Sequence, residues 1–210
     1  MALSNFGEVK SAIKNWAKRD SLSESVLTDF VTLTEAVFNY GDGMHDIAPL
    51  RVRDMETVDT TVTMTSGAGS LPADFLEAIK VKDPGDTTRN IEFAPADWID
   101  ENYPTGQDGT YPGYYTIIGS TLYCTIDVSL TYYAKIATIT AADADTNWLL
   151  TKAPNAYLYG GLMQYAIYDK NPENVVYFRG LMANALAGLG YSDINSRAGQ
   201  MTKRAAAVAW

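Results

Sequence analysis

The sequence predicts an α+β fold: a four-helix bundle formed by N- and C-terminal helix pairs, with a central antiparallel β-lobe inserted between them. Three observations predict it. Apolar residues recur three and four apart near both ends of the chain, the spacing of one helix face. Between about residue 52 and residue 136 the period falls to two, the mark of half-buried strands. Helix-start signals precede each helical stretch: Asn5 with Glu8, Ser21 with Glu24, Pro154, and Asn171 followed by Pro172 and Glu173. The expected organisation is a discontinuous helical bundle from 1–50 and 148–191, a β-rich lobe over 51–147 and a C-terminal tail over 192–210.

The elements follow in order. Phe6, Val9, Ile13 and Trp16 mark one face of a first helix, near 5–18. Leu22, Val26, Phe30, Leu33 and Val37 form the main stripe of a second, near 22–40, with Leu27, Val31 and Phe38 beside it. Gly41 and Gly43 end it. Val58, Thr60, Val62 and Met64 alternate with polar residues as a strand, and Ser66 to Gly69 reads as a turn. Ala78–Val81 and Ile91–Phe93 are short strands, and Pro95–Glu101 is a short helix anchored by Trp98. A loop rich in Gly, Pro and Tyr leads to strands at 114–118 and 121–126, joined by Gly119-Ser120, a pair suited to a type II′ hairpin. Val128–Ile136 is another strand, and an acidic linker, Ala137–Asn147, returns to the helices. The last two helices fall near 154–169 and 172–189. Val175, Phe178, Met182, Leu186 and Leu189 stripe the second, and Gly188 and Gly190 are its stop signals. These stripes need partner helices, so the two ends of the chain are expected to pack together.

Composition bounds the function. The 210 residues are 47% hydrophobic, enough for a sizeable core. No apolar run approaches the roughly 18 residues of a membrane span, and the N-terminus lacks a signal-peptide apolar region. The single cysteine, Cys124, rules out an intrachain disulfide and points to synthesis in a reducing cytoplasm. Net charge is -9 with no strong cation cluster, which argues against sequence-specific DNA binding. An acidic surface can still stand beside DNA without holding it. Fourteen tyrosines suit protein contacts as well as cores.

Catalytic groups are scarce. His45 and Cys124 stand alone, the first in a loop and the second inside a strand pattern that reads as a buried thiol. Asp143-Ala144-Asp145-Thr146-Asn147 imitates the start of a calcium loop. It has Trp148 where the turn needs glycine and Pro154 where a bidentate glutamate belongs. Asp97, Asp100 and Glu101 beside Trp98 resemble a glycosidase carboxylate pair, but also the polar face of a short helix. Phosphate-binding glycine motifs are lacking. The expectation is no enzyme, no cofactor and no metal.

The order of parts resembles the head-to-tail connector (adaptor) proteins of tailed bacteriophages, of the podovirus tubular-protein and portal-adaptor kind. Ile13-Lys14-Asn15-Trp16 and Leu22 through Phe38 resemble that family's opening helices. Arg51 through Thr57 resembles the passage into its β-region, and Leu71-Pro72-Ala73-Asp74-Phe75-Leu76-Glu77 its loop-and-strand signature. Leu130 through Lys135 is similar to the strand that returns to the helices, and Ala156 to Ala187 to the closing helix pair. Residues 41–50 look like an insertion. The resemblance implies a virion protein at the head–tail junction, assembled in the host cytoplasm. It implies a ring of usually twelve copies under the portal protein that extends the DNA channel and binds a tail or nozzle protein, with DNA passing through without sequence-specific binding. The alternative is a tail-associated β-lobe module recognising glycan or protein. Two sets of contact residues are expected. Arg197, Lys203, Arg204 and Trp210 in the tail would meet the portal or a neighbouring subunit. Tyr103, Tyr111 and Tyr114 would lie at tail or subunit contacts.

Overall fold

The computed structural model describes residues 3–43, 47–86, 88–103 and 113–207, with side chains as far as Asn195. The chain divides into two compact units. One comprises residues up to Asp54 and from Ile136 onward, and the other runs from Met55 to Lys135. The class is α+β, but the four-helix bundle with an antiparallel lobe is not what the chain builds. Among the described residues there are six α-helices and one seven-stranded sheet of mixed pairing.

Five of those helices belong to the first unit: α1 (Phe6–Ala17), α2 (Glu24–Tyr40), α4 (Trp148–Lys152), α5 (Pro154–Tyr168) and α6 (Pro172–Ala207). They are not four equal partners around a shared seam. The helix α5 is the hub, and α1, α2, α4 and α6 all pack against it. Its residues 156–158 and 160–163 are buried on every side of the helix, whereas the sequence marks a single stripe of Tyr159, Leu162, Met163, Ala166 and Ile167, the last of which is exposed. Two glycines make this possible. A Cβ on Gly160 would run into the Thr34 side chain of α2 and approach Met182 Sδ of α6 at 3.1 Å. One on Gly161 would run into Ile13 of α1. Backbone therefore sits directly against side chains of three neighbours.

The predicted stripes hold in part. Phe6, Val9 and Ile13 of α1, Phe30 of α2, and Met182 and Leu186 of α6 are buried. Trp16 is 57% exposed and Leu33 51% exposed, so both are corrections. The buried face of α2 instead centres on Leu27, Val31, Thr34 and Phe38. Thr34 lies over Gly160, which draws the packed face toward a polar residue that apolar spacing overlooks. Its hydroxyl is satisfied within the helix, donating to the Phe30 carbonyl at 2.8 Å. Helix α2 is capped by Ser23, whose Oγ accepts from Val26 N–H at 3.4 Å, and not by Ser21. The glycines at 188 and 190 do not end α6, which runs 36 residues, so the segment after 191 is helical as far as Ala207 and not an irregular tail.

The second unit holds β1 (Glu56–Val62), β2 (Ala68–Ser70), β3 (Phe75–Lys82), β4 (Asn90–Phe93), α3 (Ala96–Asn102), β5 (Tyr114–Ile118), β6 (Thr121–Tyr123) and β7 (Val128–Ala134). Strand order is β1-β7-β3-β4-β5-β6-β2. All pairs are antiparallel except β4–β5, which run parallel with Glu92 opposite Tyr114 and Phe93 opposite Tyr115. Parallel neighbours need a long crossover, and the stretch from 94 to 113, containing α3, supplies it. The Gly119 φ of 61° fits the tight β5–β6 turn. Ala68 and Gly69, read as part of a turn, belong with Ser70 to β2, which pairs with β6. Gly69 is required there, because a Cβ would lie 2.7 Å from Val62 Cγ1 and 2.8 Å from the Thr63 carbonyl. The sheet's core is Val62, Val81, Ile91, Leu122, Val128 and Leu130. At the sheet edge, β1 breaks register with β7 between Thr57 and Thr60, and Asp59 takes a φ of 56°.

The hub predicts a measurable coupling. Gly160→Ala should destabilise the protein by about 1–3 kcal/mol through overpacking. Thr34→Ser, which removes the obstructing methyl and keeps the hydroxyl, should restore part of that loss in the double variant. Chemical denaturation of the four proteins of this cycle checks it; strict additivity would show that the two residues are not in contact.

Candidate interaction surfaces

The chain's re-entry into the helical unit is fixed by side chains of α2. Ile136 N–H donates to Asn39 Oδ1 at 3.0 Å, and Ile139 N–H donates to Glu35 Oε1 at 2.9 Å. Thr138 Oγ1 donates to Glu35 Oε2 at 2.7 Å. Glu35 and Asn39 are four apart on one helix face, so together they give the incoming strand-like segment acceptors it would otherwise lack. Tyr157 of α5 donates to Glu35 Oε1 at 3.2 Å and receives a 2.7 Å bond from Asn147 Nδ2. Asn147 also donates to the Ala137 carbonyl at 2.7 Å, and its Oδ1 caps α4 by accepting from Leu150 N–H at 2.8 Å. Burial raises the Glu35 pKa above the usual 4.5 against the pull of Thr138, Ile139 and Tyr157. Burial, with Glu35 beside it, pushes the Tyr157 phenol well above its usual range.

The acidic linker before α4 is structural. The Asp143 and Asp145 carbonyls accept from Gly7 and Phe6 N–H groups, both at 2.9 Å, so they satisfy donors at the start of α1. Lys10 Nζ lies 2.7 Å from Asp143 Oδ1 and 2.6 Å from Glu24 Oε2, and Lys14 Nζ is 2.7 Å from Glu24 Oε1. Burial works against the Lys10 ammonium, but its bonds to Asp143 and Glu24 outweigh that and raise its pKa. Hydrogen bonds from Lys10 and then Lys14 hold the Glu24 carboxyl down at about 2. The imitation calcium loop is thus committed to a lysine and a helix terminus.

In the second unit, Trp98 packs edge-on against Tyr114 at 4.7 Å and Tyr103 at 6.1 Å, and Tyr103 and Tyr114 lie 5.9 Å apart. Two of the three tyrosines singled out by sequence therefore share one cluster; Tyr111 lies outside the described residues. Trp98 meets both tyrosines edge to face and the tyrosines are tilted 46° to each other, so the rings do not form a flat platform for a sugar or base. Asp97, Asp100 and Glu101 are exposed on α3. Asp100 borders a cavity of about 280 Å³ with Ile99, Thr116, Ile118 and Cys124. The Cys124 thiol is buried, and burial raises its pKa. His45 lies outside the described residues.

Arg197, Lys203 and Arg204 fall on α6, and Trp210 lies outside the described residues. The described part of α6 bonds inward by Asp193, whose Oδ1 is 3.9 Å from Arg53 Nε. Its outward row exposes Val176, Tyr177, Tyr191 and Ile194. Sequence reasoning missed Glu35, Asn39 and Asn147, which look like ordinary surface residues. Their signal is positional: Glu35 and Asn39 alternate with Thr34 and Phe38 on the buried side of a helix.

A family profile described as SU10 adaptor protein matches residues 4–207. The chain belongs to the SU10 adaptor protein family. The match covers the opening helices, the sheet and the closing helices in one span, so the resemblance to phage head-to-tail adaptors holds over nearly the whole chain. No curated protein matches it.

Glu35 carries a pH prediction. Its folded pKa is raised, so its contribution to stability is complete below about pH 4.5 and is lost as pH rises through the folded pKa. Glu35→Gln cannot ionise. The difference in thermal midpoint, variant minus parent, should therefore grow in the variant's favour between pH 4.5 and 7, as read by calorimetry. A constant offset would mean that the carboxyl does not change protonation differently on folding.

Proposed function

We propose that this adaptor-family chain is a structural subunit of the phage head–tail junction. Copies of it form a ring under the portal, extend the DNA channel and give the tail its attachment site. The observation that carries this reading is the adaptor-family match over residues 4–207. The chemistry supports it. A chain of net charge -9 makes a wall that repels phosphate and lets DNA pass without sticking. The shifted groups Glu35, Tyr157 and Glu24 are engaged in hydrogen bonds and ion pairs within the helical unit, as structural work requires. The proposed role involves no turnover. Phage lacking the protein should yield DNA-filled heads without tails, seen by electron microscopy; tailed, infectious particles from such a phage would overturn the proposal.

The end of α6 supplies the attachment arm in this reading. At 1.5 Å per residue its 36 residues reach about 54 Å, against about 22 Å for the 15 of α5 on which it packs. Arg197, Lys203 and Arg204 lie on the overhang and would meet an acidic surface of the portal, with Trp210 as an apolar anchor. Ending the chain after Asn195 keeps Met182, Leu186 and the Arg53–Asp193 pair. Its thermal midpoint should stay within a few degrees, while attachment to heads is lost. In the full chain, attachment should weaken as salt rises from 0.05 to 0.5 M, because exposed charge pairs are screened. Co-sedimentation with heads measures both effects.

A further inference from the structure

We propose that the outer face of α6 between Val176 and Ile194 is the surface by which one copy of this chain grips the next. The proposal rests on the ring reading above and assigns it a place on the subunit. The inner face of α6 is already used: the helix packs on the hub, and its Met182 and Leu186 are buried. The outer face carries Val176, Tyr177, Tyr191 and Ile194 at 61, 61, 69 and 62% exposure. Tyr177, Gly180, Asn184, Ala187, Tyr191 and Ile194 follow one another at alternating steps of three and four. That spacing keeps a single seam facing one partner helix.

Glycines give a second line of argument. Gly160 and Gly161 are explained within the chain, because Thr34 and Ile13 occupy the space a Cβ would need. Gly180, Gly188 and Gly190 are not explained in that way, since a Cβ at each would meet nothing within 4 Å. Glycine inside a helix is unfavourable relative to alanine, and three in the middle of one helix weaken it with no return inside the subunit. Gly180 and Gly188 lie on the exposed side, where their missing side chains would let a second backbone approach.

Charge chooses the occupant. Between Glu173 and Asp193 the only charged residue of α6 is Arg179, which is off this row and partly buried. A nucleic acid or a strongly charged protein would find nothing there to pair with. Two copies of a chain carrying -9 repel each other. They meet most favourably where neither surface adds charge, and this row is such a surface.

The test uses the full chain. Gly180→Leu/Gly188→Leu replaces glycine by a strong helix former in open space, and Tyr191→Glu places a charge on the seam. Both variants should keep the helical signal, and the leucine pair should raise the thermal midpoint of the subunit. Light scattering should show the parent as a multi-copy assembly and both variants at the single-chain mass of 22.9 kDa, or dissociating at concentrations at least tenfold higher. Both variants should also be missing from purified particles. Variants that assemble like the parent overturn the α6 contact and leave the ring reading standing. A parent that stays at single-chain mass and is present as one copy per particle overturns both.

Discussion

Two adjacent glycines on α5 set the separations in the helical unit. Helix pairs normally keep their axes 8–10 Å apart, according to the side chains between them. At Gly160 and Gly161 there are no side chains on the hub, so Thr34 and Ile13 rest on its backbone. The buried face of α2 follows from this, as does the burial of α5 on every side. Tyr157, also on α5, packs against Phe38 with ring centroids 5.1 Å apart and carries its hydroxyl into the Glu35 and Asn147 network. Packing and polar order in this unit thus share one helix.

That polar network performs work an apolar core cannot. A chain segment entering a helical unit in extended form brings N–H groups with no strand beside them. Unpaired and buried, each would cost about 1–3 kcal/mol. Glu35 and Asn39 accept from Ile136 and Ile139, acting as a short substitute strand edge. A carboxylate is a costly acceptor to bury, but several donors converging on it offset part of that cost.

Class and element order were legible in the sequence; the arrangement was less so. Helical spacing located α1, α2, α5 and α6, and alternation located most strands. Spacing alone cannot identify which of two adjacent stripes is buried, and on α2 the choice turned on Thr34 meeting a glycine 126 positions later in the chain. Trp16 looked like core because it continues a stripe, yet it lies in the last turn of α1, where it meets Tyr159 edge-on at 6.3 Å and leaves the rest of its ring exposed. The parallel β4–β5 pair was hidden because pairing direction depends on where a long connection leads. Gly188 and Gly190 signalled a stop that the helix does not make, since a glycine ends a helix only where the chain also turns. Of the surface residues proposed for contact, Tyr103 and Tyr114 came together around Trp98, a partner already noted for its position.

The irregular edge of the sheet has a bearing on crowding. A flat, open strand offers its free N–H and C=O groups to any identical strand nearby, which is how subunits held at high local concentration precipitate as ribbons. The longer of the two edge strands is β1, and it is broken at Val58–Asp59, where the backbone swings to a φ of 56° and an acidic side chain accepts a 3.3 Å bond from Ser129. Such a kinked margin cannot zip along its length with a copy of itself. In the proposed ring, where copies would stand side by side, the kink keeps the β1 edge from supplying an unselected contact.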